Sequence, residues 1–189
     1  VDPTKERILL TALLSFSTRG YNAVGVQDIC ASSGITKPTL YYHFGSKRGL
    51  LSAIADKWYG GFIKEIDRQS LYKGDLRNSL IMVMSVFLNS ARTMPDFTRL
   101  RLAVAFSPPE SEEQEVFIPY TDELYKALRR LFSDAVSDHG NMAGRDLAYA
   151  ASFIGTADAY SGLILARALD PEEDFILRVI HYFMHGIFS

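Results

Sequence analysis

One cysteine, Cys30, stands in 189 residues. That excludes an internal disulfide and fits a reducing, cytoplasmic setting. No apolar run reaches the roughly 18–20 residues of a membrane span. The first residues are polar and lead into an amphipathic helix, so no signal peptide is expected. Alternating apolar-polar runs, hairpin turn signals, repeats and low-complexity tracts are all missing, which argues against a β fold or a solenoid. There is no nucleophile–base constellation, no H-E-x-x-H motif and no phosphate-cradling glycine loop. An enzyme is therefore not expected, and neither is a cofactor or a metal. His181 and His185 stand four apart and could form half a metal site, but no third ligand is evident nearby. With 48% hydrophobic residues the chain can bury a core and is not a disordered segment.

Net charge is also small, at −2, but it is unevenly spread. Residues 1–50 hold six basic residues (Lys5, Arg7, Arg19, Lys37, Lys47, Arg48) against three acidic ones (Asp2, Glu6, Asp28), a net of +3. The remainder carries 14 basic and 19 acidic residues, a net of −5. A basic head on an acidic body is expected where only the head meets nucleic acid.

The head contains the most informative stretch, VQDICASSGITKPTLYYHFGSKRGLL at 26–51. Its spacing predicts a short helix over 26–32, a sharp turn at Gly34, and a second short helix from Thr36 with Pro38 in its first turn. Helix, glycine turn, helix is the layout that lays its second helix in the major groove. Ile29, Ile35, Leu40, Phe44 and Leu50 are spaced to share one core with Ile8, Ala12 and Phe16 of a preceding helix over 4–18, capped by Thr4. The other face of the second helix offers Thr36, Lys37, Pro38, Thr39, Tyr41, Tyr42 and His43 to phosphates and base edges. Gln27 lies in the first turn of the supporting helix. Ser46 suits a helix cap with Lys47 just after it, a phosphate clamp of backbone N–H groups, positive dipole and ammonium. Tyr42, Lys37 and Lys47 could equally be solvated surface residues, and His43 a structural cap. Cys30 is expected to be a small buried hydrophobe.

The string TLYYHFGSKRGLL, with V-x-D-I and S-G-I-T upstream, resembles the TetR family of transcriptional regulators over roughly residues 5–52. The sequence departs from the family at Gly25, where Thr or Ser often caps the first motif helix, so a hydroxyl contact to phosphate is absent. The resemblance implies an all-α fold, with a helix-turn-helix domain at 1–46 and a helical ligand-binding and dimerisation domain at 47–189. It also implies a ligand-responsive regulator of a double-stranded DNA operator, most often a repressor. A ligand-independent activator working through protein partners is the alternative reading.

Beyond the head, helices are expected over 47–72, 76–91, 96–106, 118–138, 145–168 and 172–188, the last opened by Pro171. The acidic segment 110–115 reads as a loop. Trp58, Tyr59, Phe62, Met82, Phe87, Phe106, Tyr120 and Tyr125, with Asp158 as a polar group, are the expected lining of an apolar effector cavity. Packing as solid core is the plainer alternative. The small residues Ala151, Gly155, Ala159 and Gly162, with Phe175, Val179 and Phe183, are the expected homodimer surface, since small residues let helices approach closely. Ordinary packing within one subunit is the alternative. The resemblance favours the dimer, which would set two heads on one face of a palindromic site.

Overall fold

The computed structural model describes residues 2–170 and 174–186. It is all-α, with no strand among the described residues. The helices are α1 (Pro3–Arg19), α2 (Val26–Ser33), α3 (Lys37–Phe44), α4 (Lys47–Ile54), α5 (Gly60–Gln69), α6 (Leu76–Thr93), α7 (Pro95–Ala105), α8 (Glu112–Asp134), α9 (Asp146–Leu165) and α10 (Phe175–His185). A π-helical turn, Ala55–Tyr59, joins α4 to α5, and short 3₁₀ turns follow α8. Pro171 and Ile187, which the sequence assigns to the last helix, lie outside the described residues.

Two compact units divide the chain, one of residues 1–61 with 96–120, the other of residues 62–95 with 121–189. The first contains the whole expected head and adds α4, α7 and the start of α8. Its core is the predicted one: Ile8, Ala12, Ile29, Leu40 and Leu50 are fully buried and Phe16 nearly so. Ile35 and Phe44 remain half-buried. Burying each large aliphatic side chain contributes roughly 1.5–3 kcal/mol, which lets helices of only eight residues hold their shape. Tyr59 extends this core with edge or tilted contacts to Phe97 and Phe117 and a stacked contact to Tyr120, ring centroids 5.3–5.7 Å apart.

The second unit packs α6 against α9 and α10. Phe62 meets Phe87 edge-on at 5.1 Å, and Phe183 meets Phe153 at 5.2 Å. Val179 and Ile180 are buried with them. No helix of the described residues is long and apolar enough to cross a membrane.

Three expectations need correction. Asp2, not Thr4, caps α1: its carboxylate accepts from the Thr4 and Lys5 N–H groups. The expected single helix over 47–72 is broken in regularity by the π turn and ends at Gln69. The acidic segment is not a loop throughout, since α8 begins at Glu112. Ser111 Oγ accepts from Gln114 N–H there at 3.3 Å, and acids in a first turn favour the positive end of the helix. Pro119 consequently sits inside α8, where it lacks the N–H that would reach the Glu115 carbonyl.

Candidate nucleic-acid interface

The interface is built on α2, the turn at Gly34 and α3. Gly34 adopts the left-handed conformation (φ 64°, ψ 40°), which a side chain makes unfavourable. Its neighbour Ile35 donates back to the Cys30 carbonyl at 3.0 Å. Gly25 begins α2 without a side chain, and Asp28 supplies the cap in reverse by accepting from the Gly25 N–H at 2.9 Å. That bond, helped by Arg19 at 3.3 Å, holds the Asp28 carboxyl below the usual range. Cys30 is buried, as expected.

Leu40 faces inward and is fully buried, which fixes the rotation of α3. Lys37, Pro38, Tyr41 and Tyr42 consequently point outward, Tyr42 at 85% exposure. Thr36 caps α3, and its hydroxyl pairs with that of Thr39, 3.0 Å away, instead of a backbone N–H. Gln27 is exposed on α2. Six of the nine expected contact residues, Gln27, Thr36, Lys37, Pro38, Tyr41 and Tyr42, are therefore open to a ligand, and Thr39 is partly so. His43 differs. Its side chain is 13% exposed and its Nδ1 lies 3.6 Å from an Asp2 carboxylate oxygen.

Lys47 is engaged as well. Ser46 caps α4 as expected, accepting from the Gly49 N–H at 2.9 Å. The Lys47 ammonium, however, lies 4.0 Å from the centre of the Tyr21 ring, a cation–π contact. Burial holds its pKa below the ordinary lysine value, against the pull of the Glu112 and Glu113 carboxylates. The same acidic turn binds the head at three further points. Tyr21 donates its hydroxyl to Glu112. Asn22 donates to Glu113 at 3.0 Å, and Arg48 to Glu115 at 2.7 Å. Burial and the bond to Glu112 raise the Tyr21 pKa. The sequence reading did not single out Arg48, Tyr21 or Asn22, whose partners lie 67 or 91 positions away.

The residues expected to line a cavity divide between the two units. Trp58, Tyr59, Phe106 and Tyr120 belong to the first; Phe62, Met82, Phe87, Tyr125 and Asp158 belong to the second. Tyr59, Phe62 and Phe87 are buried in direct ring contacts, whereas Phe106 is 88% exposed and Met82 partly exposed. In the second unit a groove of about 580 Å³ is lined by Tyr125, Lys126, Arg129, Arg130, Ser133 and Leu147, among others. Arg129 pairs with Asp146 at 2.6 Å on its wall.

Of the expected dimer residues, Ala151, Gly155 and Ala159 are exposed along α9 and Gly162 is partly so. Phe175 is half-buried against Tyr160. Val179 and Phe183 pack inward within the subunit. The outward apolar residues of α10 are Leu177, Tyr182 and Met184.

Comparison with known proteins agrees with this geometry. Residues 8–54 match the family described as bacterial regulatory proteins, tetR family. The chain is 28% identical over 127 residues to the uncharacterized HTH-type transcriptional regulator YerO of Bacillus subtilis, covering 66% of this chain and 44% of YerO. It thus spans less than half the length of the first curated relatives it matches. Likeness of fold extends further. The fatty acid degradation regulator FadR from Bacillus halodurans superimposes with a TM-score of 0.78 at 14% identity, over 96% of this chain and 98% of that one. A tetR-family regulatory protein from Rhodococcus RHA1 does so with 0.77 at 16% identity, over 99% and 98%. The chain thus carries at its head a segment that matches the tetR family of bacterial regulatory proteins, and over its length it shares the fold of these solved structures.

Proposed function

We propose that this chain is a ligand-responsive repressor that binds a palindromic DNA operator as a homodimer and leaves it when a small effector binds. The observation that carries the reading is α3, eight residues long, with Leu40 fully buried behind it and Lys37, Tyr41 and Tyr42 presented on its outer face. Lys37 and Thr39, at the start of the helix, are assigned to base edges, and Tyr42 to phosphate and sugar. The exposed small-residue stripe of α9 and the outward Leu177, Tyr182 and Met184 of α10 support pairing of two subunits. The groove beside Tyr125 supports an effector site in the second unit. Its lysine and arginines suit an aromatic effector with polar or anionic groups better than a purely apolar one.

The test is selection of bound duplexes from a random pool, followed by substitution on the recovered site. A palindrome with half-site centres about one helical turn apart is expected. Lys37→Ala should cost roughly 1–3 kcal/mol and relax preference at one base pair. Tyr42→Ala should weaken all sequences alike. Recovery of no enriched sequence, or equal scaling of every site by Lys37→Ala, counts against the assignment.

A further inference from the structure

We propose that the acidic first turn of α8 is an intramolecular brake on DNA binding, its carboxylates holding Arg48 directly and Lys47 through the Tyr21 ring, the two cations at the start of α4 that duplex phosphates would otherwise take. The proposal rests on the DNA-binding reading above and adds a regulatory element to it.

Four contacts converge. Glu115 accepts from Arg48, Glu112 from Tyr21 and Glu113 from Asn22, and the Lys47 ammonium lies 4.0 Å from the centre of that same Tyr21 ring. Lys47 and Arg48 are the first two residues of α4, where free backbone N–H groups and the positive dipole already favour an anion. The Glu115 carboxylate occupies the Arg48 guanidinium, a donor that a phosphate would also take. The Arg48–Glu115 bridge is half exposed on both sides. Such a bridge is weak and readily exchanged for another anion.

Glu113 shows that the arrangement is not built for stability alone. It is 6% exposed, and its Oε2 has no hydrogen-bond partner. A buried carboxylate oxygen without a partner carries a desolvation penalty, so the turn is held against the head at some expense. The favourable position of acids at a helix N-terminus explains why glutamates start α8. It does not explain why they reach Arg48, Asn22 and Tyr21. Release of this turn would free two cations at once. Its continued contact keeps them partly neutralised.

The experiment measures affinity for an arbitrary duplex against salt, using the full chain. Glu112→Gln with Glu115→Gln keeps the shape and hydrogen-bonding capacity of both side chains while removing their charge. The double variant should bind on the order of tenfold more tightly at low salt, with the log–log salt slope steeper by about one to two. A control with Glu65→Gln and Glu123→Gln removes the same charge from the second unit, outside the acidic turn, and should change the slope much less. In an Arg48→Gln background the effect of Glu115→Gln should vanish. If the double variant loses thermal stability, Glu115→Gln alone at its exposed position carries the same comparison. Slopes equal in wild type and variant, a response matched by the control, or persistence of the Glu115→Gln effect without Arg48 overturns the brake. Retention of no duplex by the wild type at any salt overturns the DNA-binding reading instead.

Discussion

The Nδ1 atom of His43 lies 3.6 Å from a carboxylate oxygen of Asp2, tying the last turn of α3 to the residue that caps α1. The Thr4 N–H, more than any other contact, holds the Asp2 carboxyl below the usual range, with the Lys5 N–H and His43 adding to it. A depressed carboxyl contributes stability above its unfolded pKa, roughly 3.9, and loses it as pH falls through the folded value. Asp2→Ala should therefore lower the melting temperature at neutral pH and narrow its gap to wild type below about pH 4. Parallel curves across the acid range would show that Asp2 does not act through its charge.

At the alkaline end the relevant group is Tyr120. Burial, reinforced by its hydrogen bond to Asp56, pushes its pKa up to about 12. A raised pKa in the folded state gives stability present below the ordinary tyrosine value, about 10, and lost as pH rises through the folded one. Tyr72, bonded to Asp138, behaves the same way. Tyr120→Phe should remove one late step, near pH 12, from the tyrosinate absorbance titration of the folded protein. An unchanged late amplitude would place Tyr120 among the freely titrating tyrosines.

Gly155 provides a clean probe of the proposed subunit pairing. A Cβ built there meets nothing within 4 Å, and replacing glycine inside a helix generally stabilises it by about 0.5–1 kcal/mol. Gly155→Arg should keep the helical content and melting behaviour of one subunit while abolishing self-association in sedimentation. A variant that sediments as wild type does would move the contact surface off the α9 stripe.

Periodicity made the head legible because its core is local. Ile8, Ala12, Phe16, Ile29, Leu40 and Leu50 meet as their spacing requires. Trp58 and Tyr59 show how that logic fails. Extending the 3.6-residue phase from Leu51 and Ile54 sets Trp58 at the middle of the buried face and Tyr59 to one side. The π turn advances each residue by a smaller angle, and Tyr59 takes the buried position instead. Nothing in the composition of Ala55–Tyr59 signals that turn. The glutamates of 112–115 were hidden for another reason. Charged residues in a row resemble a solvated loop, and their partners at 21, 22 and 48 are too distant in sequence for any local pattern to connect them. On α10, amphipathicity identified an apolar helix but could not tell its buried face, Val179 and Ile180, from its exposed one, Leu177, Tyr182 and Met184.

The first unit is assembled from two separated stretches of chain, 1–61 and 96–120. That separation orders events during synthesis. Contacts among α1–α4 are local and quick to form, whereas closing Glu112 onto Tyr21 spans 91 positions and must wait for the later stretch. At roughly 5–20 residues per second, a nascent chain carries its basic head for several seconds before the glutamates of α8 emerge. During that interval the head has its full positive charge and none of its acidic counterweight. Nascent chains should therefore cling to nucleic acid more readily than the finished protein does.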